Sequence, residues 1–220
     1  MRLLLASASP ARRATLRSAG IEPLVRVSGV DEEALLAAAE RDAGGPVPAA
    51  EQVLLLARAK ARDVVAAGVG PDVVVLGCDS MLELDGAVLG KPRDAADAVR
   101  RWHAMRGRSG ALHTGHWLSR SVDGADGPGP AERAELGATS TTVVHFADVS
   151  DAEIEAYVAT GEPLAVAGAF TIDGLGGPFV TGTEGDHHGV VGLSLPLLRE
   201  LLSAVGIAIT SLWDTSARDD

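Results

Sequence analysis

The sequence is short of cysteine, of aromatic residues and of long apolar runs. Cys78 is its single cysteine, so it has no intramolecular disulfide and suits a reduced compartment. Aromatic residues make up 3% of the chain, which leaves a core built mainly from Ala, Val and Leu. The apolar opening at residues 1–6 is far shorter than a secretory leader or a membrane span. We therefore expect a cytoplasmic protein that does not act at a membrane.

Positive charge is also scarce. The chain has 19 Lys and Arg against 30 Asp and Glu, which gives a formal net charge of -11. Broad binding to a nucleic acid polymer needs a basic face, so we expect none, although local basic sites still allow a phosphate ligand. With 220 residues, 46% of them hydrophobic, the chain is long enough for one domain with a substantial core. We expect a single domain over residues 1–220.

Strand and helix patterns are mixed along the chain and predict an α/β fold. Strand patterns occupy residues 2–6, 23–28, 72–77, 111–122 and 136–146, and residues 82–89 are typical of a hairpin with a type I′ turn at Asp85-Gly86. Helix patterns occupy residues 10–20, 31–41, 49–67, 94–105, 150–160 and 195–205. Residues 123–130 are rich in Gly, Pro and Asp, which predicts an exposed loop, and residues 216–220 are expected to be frayed.

The first candidate site is the serine-rich turn after the first strand pattern. Ser7 and Ser9 precede Pro10, so hydroxyls and free backbone N–H groups meet a helix N-terminus, which favours negative charge. Arg12 adds a cation that can hold phosphate with two hydrogen bonds. The alternative is a capped surface helix with solvated arginines, and these residues alone leave both readings open. The Walker phosphate-binding motif is absent.

The second candidate site is Asp79, which the strand pattern places just past a strand end. Its carboxylate could accept a proton from water or hold a divalent cation, whereas the ordinary alternative is an aspartate in a turn. Lys91 follows the adjacent hairpin and would suit a phosphate. Glu32 is a further oxygen ligand or simply the acidic first turn of a helix, and Lys60 either reaches an anion or extends into solvent.

The histidines do not have the spacing of a metal site. His113 and His116 would point to opposite faces of a strand, and His187 and His188 are adjacent in a glycine-rich segment that predicts a turn. Cys78 is expected to be a small buried residue rather than a nucleophile.

Taken in order, six motifs resemble those of the Maf family of nucleotide pyrophosphatases, also called septum-formation inhibitor proteins. They cover nearly the whole chain, at residues 5–12, 28–32, 57–61, 77–80, 90–92 and 167–176. The resemblance implies an elongated mixed sheet flanked by helices, with two lobes around a central cleft. It also implies hydrolysis of a nucleoside triphosphate to the monophosphate and pyrophosphate.

The resemblance further implies a role for each matching residue. Asp79 would accept the proton of the attacking water, and Glu32 and Asp79 would hold a divalent cation, Mg²⁺, Mn²⁺ or Co²⁺. The triphosphate would lie among Ser7, Ser9, Arg12, Lys60 and Lys91. A homodimer is a further expectation to test. The alternative function is a regulator of cell division and septum formation that senses nucleotides without hydrolysing them.

The chain departs from the family pattern at four positions. Ala11 replaces the first arginine of the opening motif, Ser80 replaces a common threonine, and Val166 replaces a lysine. Asp173 stands where many relatives have glutamine. Lysine and glutamine are typical of the branch that hydrolyses dTTP and UTP, while a branch acting on 7-methyl-GTP has a carboxylate near position 173. Because a carboxylate only accepts hydrogen bonds, Asp173 is expected to affect base preference, unless it is simply a turn residue before Gly174.

Overall fold

The computed structural model describes residues 1–121 and 133–214 and contains a mixed sheet of seven strands. The strands lie in the order β2-β1-β3-β5-β6-β7, and β4 pairs separately with β3. The predicted loop at residues 123–130 and the tail at 216–220 lie outside the described residues. The α/β prediction is confirmed.

The parallel part of the sheet is formed by β1 (Arg2–Leu5), β2 (Leu24–Val25) and β3 (Val73–Leu84). α1 (Pro10–Ser18) connects the first two strands, and α2 (Glu32–Ala43) and α3 (Ala49–Ala66) lie between β2 and β3. β2 is much shorter than the predicted strand at residues 23–28, because only Leu24 and Val25 pair with β1. Ser9 and Asp31 cap α1 and α2 with their side chains.

The antiparallel part contains β4 (Ala87–Leu89), β5 (Ser109–Ser121), β6 (Arg133–Phe146) and β7 (Val180–Glu184). The turn between β3 and β4 has positive φ at both Asp85 (51°) and Gly86 (79°), which confirms the predicted type I′ hairpin. β5 and β6 pair along their whole lengths, from Ser109 opposite His145 to Ser121 opposite Arg133.

The remaining helices are α4 (Ala95–Met105), α5 (Asp151–Ala159), α6 (His187–Val191) and α7 (Leu195–Ala204). Three of them begin within one residue of their predicted starts, and the short α6 was not predicted. Ser150 and Glu153 form a capping box at the start of α5. Short 3₁₀ helices cover Glu162–Ala165, Ala167–Ala169, Gly177–Phe179 and Ile209–Leu212. His187 and His188 lie in the short helix α6, so the turn predicted for them is wrong.

Two hydrophobic cores divide one face of the sheet into two lobes. Leu76 and Leu118 belong to the core that includes residues of α1 and α7, whereas Leu82 and Leu112 belong to the core that includes residues of α4 and α5. Since alternate residues of a strand share a face, these cores lie side by side on the same face. The predicted two-lobed mixed sheet is confirmed.

The opposite face of the sheet is covered by α3, which lies unusually close to the strands. A Cβ at Gly77 would lie 2.0 Å from the carbonyl oxygen of Ala57, and one at Gly115 would lie 2.3 Å from that of Val53. Glycine at these two positions therefore lets the helix backbone touch the sheet. This contact sets the position of Lys60, which lies one turn beyond Ala57 on the same helix.

Candidate active site

The site forms at one edge of β3, along a stretch where none of the described strands pairs with it. On this edge, β1 pairs with β3 as far as Leu76, and β4 pairs from Leu82 onward, so residues 77–81 face neither strand. At about 3.3 Å per residue, the open stretch is roughly 16 Å long. Asp79 lies inside β3 because β5 pairs with the other edge of β3 throughout this region. The predicted position of Asp79, just past a strand end, is therefore wrong.

Lys60 joins two carboxylates on the α3 face of this opening. Its Nζ lies 2.6 Å from Oδ1 of Asp79 and 2.7 Å from Oε1 of Glu32. The side chains of Lys60 and Asp79 are about nine-tenths buried, whereas half of the Glu32 side chain is exposed. Among the described residues, nothing hydrogen-bonds Oδ2 of Asp79. That oxygen is available to a ligand.

Burial raises the pKa of Asp79 above its usual value, because the charged form loses its hydration. The positive charges of Lys60 and Arg12 act in the opposite direction, but they do not cancel the effect of burial. A carboxylate with a raised pKa is a stronger base, which suits a group that accepts a proton.

The serine-rich turn lies on the other side of the opening, between β1 and the N-terminus of α1. Oγ of Ser7 accepts hydrogen bonds from the backbone N–H of Ser9 (3.2 Å) and from Nη1 of Arg12 (3.0 Å). With both lone pairs used, the Ser7 hydroxyl presents its proton as a donor, and no described residue accepts it. Ser7, Ser9 and Arg13 also line a cavity of about 330 Å³. The turn therefore has the donors and the space that an anion requires.

Arg12 connects this turn to the open edge of β3. Its guanidinium donates to the carbonyl oxygens of Cys78 (2.9 Å) and Gly192 (2.8 Å), as well as to the hydroxyls of Ser7 and Ser80 (3.0 Å each). These bonds use four of the five guanidinium donors, so one N–H remains for a ligand. Arg12 thus occupies part of the position that a neighbouring strand would fill.

Ser80 is committed to a hydrogen-bond chain inside the protein. The Thr114 hydroxyl donates to the carbonyl oxygen of Gly189 (2.8 Å), so it accepts from the Ser80 hydroxyl (2.9 Å). Ser80 in turn accepts from Nη2 of Arg12 (3.0 Å). The chain fixes Arg12 against β5 and α6, which the sequence alone did not indicate.

Lys91 lies just past β4, at the far end of the opening, on an exposed stretch of chain. Arg101 of α4 holds this stretch by donating to the carbonyl oxygens of Gly90 (2.6 Å) and Lys91 (3.3 Å). The buried Asp97 pairs with Arg101 at 2.8 Å. A hydrogen bond from the backbone N–H of Arg93, together with the neighbouring arginines, lowers the pKa of Asp97 to about 2. No sequence motif identified Arg101 or Asp97 as support for Lys91.

Asp173 is exposed on the segment that follows the 3₁₀ helix Ala167–Ala169, and no described residue hydrogen-bonds its carboxylate. This segment begins beside the opening, because the backbone N–H of Gly168 donates to the carbonyl oxygen of Gly90 (3.1 Å). A Cβ at Gly168 would lie 2.8 Å from Leu82, where the pairing between β3 and β4 begins. The structure thus brings together Glu32, Lys60 and Asp79. Arg12 bonds both Ser7 and the residues on either side of Asp79, and a backbone hydrogen bond joins the segments that precede Lys91 and Asp173.

The two carboxylates suit a divalent cation whose remaining ligands are phosphate oxygens and water. Mg²⁺ in phosphate sites is commonly bound by one or two carboxylates together with phosphate oxygens and water. Glu32 and Asp79 supply two carboxylates close together through their shared contact with Lys60. Within residues 1–121 and 133–214, no group of three or more His, Cys, Asp and Glu side chains could hold a metal by itself.

Two of the histidines, His113 and His116, and the cysteine are buried inside the fold. His113 contacts Thr141, while His116 contacts the carbonyl oxygen of Thr114 and accepts from the backbone N–H of Ser194. Burial lowers the pKa of His116 to about 4 and raises that of Cys78 to about 12. The expectation that Cys78 is a buried residue is confirmed.

Carboxylates, hydroxyls and cations thus meet at an open edge of the mixed sheet in this α/β protein. A family model described as Maf-like protein matches residues 2–205. The chain belongs to the Maf-like protein family.

Several relatives match almost the whole chain, and each is named nucleoside triphosphate pyrophosphatase. The protein from Salinispora tropica is 58% identical over 97% of this chain and 88% of its own length. The one from Streptomyces coelicolor is 53% identical over 96% and 94%, and the one from Mycobacterium marinum is 49% identical over 96% of each. No helix in the described parts of the chain is long and apolar enough to cross a membrane.

Proposed function

We propose that this protein hydrolyses nucleoside triphosphates to the monophosphate and pyrophosphate. The observation that carries the proposal is the buried Lys60, which joins Asp79 and Glu32 at the open edge of β3, next to Ser7 of the serine-rich turn and Arg12 of α1. These groups supply what the reaction requires, namely a base that accepts a proton from the attacking water and positive charges that bind the phosphates. The name shared by relatives 49–58% identical to the chain supports the same reaction.

In this proposal, Asp79 accepts the proton of the attacking water through Oδ2, to which no described residue donates a hydrogen bond. The water oxygen bonds to the α-phosphorus while the bond from that phosphorus to the bridging oxygen breaks, so pyrophosphate leaves with its electron pair. Lys60 holds Asp79 in place and adds positive charge beside the phosphates. The remaining triphosphate contacts come from Ser7, Ser9, the free N–H of Arg12, and Lys91.

We assign Glu32 and Asp79 as the protein ligands of a divalent cation, with Mg²⁺, Mn²⁺ and Co²⁺ as the ions to test. When bound, the cation neutralises phosphate charge and helps to orient the α-phosphorus. Because Lys60 contacts both carboxylates, its ammonium keeps them close together before the ion and the substrate arrive. Asp173 is proposed to contact the base, as an acceptor of hydrogen bonds from its edge.

We further propose that residues 1–220 form one domain, which acts on a nucleotide in the cytoplasm and requires neither a membrane nor a nucleic acid polymer. Gel filtration of the full chain with light-scattering detection, or analytical ultracentrifugation, tests whether it forms a homodimer.

Product analysis on purified protein tests the reaction. We expect pyrophosphate and a monophosphate from at least one member of a panel of natural and modified triphosphates, each assayed with Mg²⁺, Mn²⁺ and Co²⁺. Asp79→Asn should abolish turnover while thermal unfolding remains cooperative. Orthophosphate as the only phosphate product, or no product from any substrate, contradicts the proposal.

The second candidate is a nucleotide-sensing regulator of septum formation that needs no hydrolysis. The position of Asp79 in a charged opening favours the enzyme, because a binding site alone does not need a base. Tight triphosphate binding without turnover, unchanged by Asp79→Asn, would support the regulator instead.

A further inference from the structure

A second carboxylate organises the loop that contains Asp173. Glu162, at the start of the 3₁₀ helix Glu162–Ala165, accepts hydrogen bonds from the backbone N–H groups of Leu175 and Gly176 (3.2 Å each). It also accepts from the hydroxyls of Tyr157 (3.2 Å) and Thr171. Burial opposes ionisation of Glu162, but the hydrogen bonds from Thr171, Leu175 and Gly176 outweigh it and lower its pKa. Glu162 is thus a fixed anion inside the loop.

Tyr157 holds the same loop from α5. Its hydroxyl accepts from the backbone N–H of Thr171 (3.1 Å), so the beginning of the loop is bound to the same pair of side chains as its end. Trp102 of α4 donates to the carbonyl oxygen of Ala169 (2.8 Å) just before the loop. Ala169 has a φ of 60°, a strained value that the surrounding packing must maintain.

The loop passes so close to Glu162 that two of its positions have space only for glycine. A Cβ at Gly174 would lie 2.8 Å from both carboxylate oxygens of Glu162. A Cβ at Gly176 would lie 2.6 Å from the Tyr157 hydroxyl and from the carbonyl oxygen of Thr171. Asp173 is therefore held between fixed points on both sides, although no described residue hydrogen-bonds its own carboxylate.

We propose that Glu162 is a positioning residue for base selection: it fixes the Thr171–Gly176 backbone and thereby aims Asp173 at the nucleobase without touching the substrate. The proposal rests on the proposed function and on the placement of Asp173. Because Glu162 acts on this loop and not on Asp79 or Lys60, its effect falls on discrimination between bases. The chemical step on the triphosphate is affected much less.

The test compares kcat and KM of the full chain for a panel of triphosphates with different bases. Glu162→Gln retains the size of the side chain but places an amide N–H₂ against the N–H donors of the loop. Thr171→Val removes one donor and supplies a second, independent variant. Glu155→Gln, on the exposed side of α5, is the matched control. We expect Glu162→Gln to reduce the ratio of kcat/KM between preferred and disfavoured bases about tenfold, mainly through KM, with kcat within about threefold.

A double-mutant cycle with Asp173→Ala distinguishes positioning from general support of the fold. If Glu162 acts through Asp173, adding Glu162→Gln to Asp173→Ala produces no further change in base discrimination. An equal loss for every base, or additive effects of the two changes, overturns the inference. So does unchanged discrimination in Glu162→Gln and Thr171→Val while the wild type remains active. A wild-type protein that releases no pyrophosphate from any substrate refutes the proposed function instead.

Discussion

The close contact between α3 and the sheet predicts the effect of Gly77→Ala. A Cβ at Gly77 would lie 2.0 Å from the backbone oxygen of Ala57, whereas real Cβ contacts essentially never fall below 3.0 Å. The atoms that the new Cβ would meet belong to the backbone of α3, so the clash cannot be relieved by rotation of a side chain. The helix has to move by about 1 Å or more from the strand. Such overpacking costs about 1–3 kcal/mol in the free energy of unfolding.

The same displacement separates the groups of the proposed site. Ala57 is one turn from Lys60, and Gly77 is two residues from Asp79, so the 2.6 Å contact between Lys60 and Asp79 spans the disturbed interface. A misplacement of about 1 Å can reduce turnover about 100-fold. We expect Gly77→Ala to reduce kcat about 100-fold in the pyrophosphate-release assay. Urea unfolding followed by circular dichroism should show a free energy of unfolding lower by about 1–3 kcal/mol.

Gly45→Ala is the matched control, since a Cβ at Gly45 would meet nothing within 4 Å. Its unfolding free energy should stay within about 0.5 kcal/mol of the wild type. If Gly77→Ala were as stable and as active as Gly45→Ala, the argument that glycine is required for close packing of α3 would be refuted.

Three further predictions concern a histidine, an arginine and the cysteine. The buried His116 has a pKa of about 4 in the folded protein against 6.5 when unperturbed, so the unfolded chain binds its proton more readily. The stabilising contribution of neutral His116 is therefore complete above pH 6.5. As the pH falls from 6.5 towards 4, the free energy of unfolding should decrease by about 3 kcal/mol. Urea unfolding at a series of pH values should show a smaller decrease for His116→Gln. Arg101→Gln removes the donors to Gly90 and Lys91, and steady-state kinetics should show KM raised about tenfold. Since burial raises the thiol pKa of Cys78 to about 12, the native protein should not react with iodoacetamide.

Each of these predictions has its own control. His103→Gln changes a more exposed histidine and should retain the pH dependence of the wild type. Arg100→Gln also removes a partner of Asp97 but no described contact to the Lys91 segment, so KM should be unaffected. Cys78 should react with iodoacetamide once the protein is unfolded in urea, because the thiol is then exposed. Equal KM values for the two arginine variants, or rapid alkylation of the native thiol, would contradict the structural explanations.

Sequence patterns were most successful where a few neighbouring residues determine the backbone. Ser9, Asp94 and Ser150 cap helices that begin within one residue of the predicted starts, and Asp85-Gly86 forms the expected turn. Each of these features depends on hydrogen bonds or φ preferences within a few residues. Such local rules act before any tertiary contact forms.

Sequence patterns failed where pairing between distant strands decides the outcome. The strand predicted for residues 72–77 continues to Leu84, because β5 pairs with it from Val74 to Glu83. The strand predicted for residues 23–28 shrinks to Leu24–Val25, because β1 offers only two pairs. The supporting roles of Arg101 and Glu162 were missed for the same reason, since an ordinary charged residue becomes a loop anchor only through contacts that no local pattern contains.

The sequence by itself determined the α/β class, the helix caps and the order of the motifs, because these follow from local propensities and from residue identity. Only the tertiary structure decided that β1 and β4 leave residues 77–81 of β3 without a strand on one edge. The packing of α3 on the sheet brings Lys60 to Asp79, 19 residues away in the chain, and Arg12 reaches Ser80, 68 residues away, at the open edge. The physical reason is that edge pairing is a long-range competition among strands, whereas each motif specifies only its own short segment.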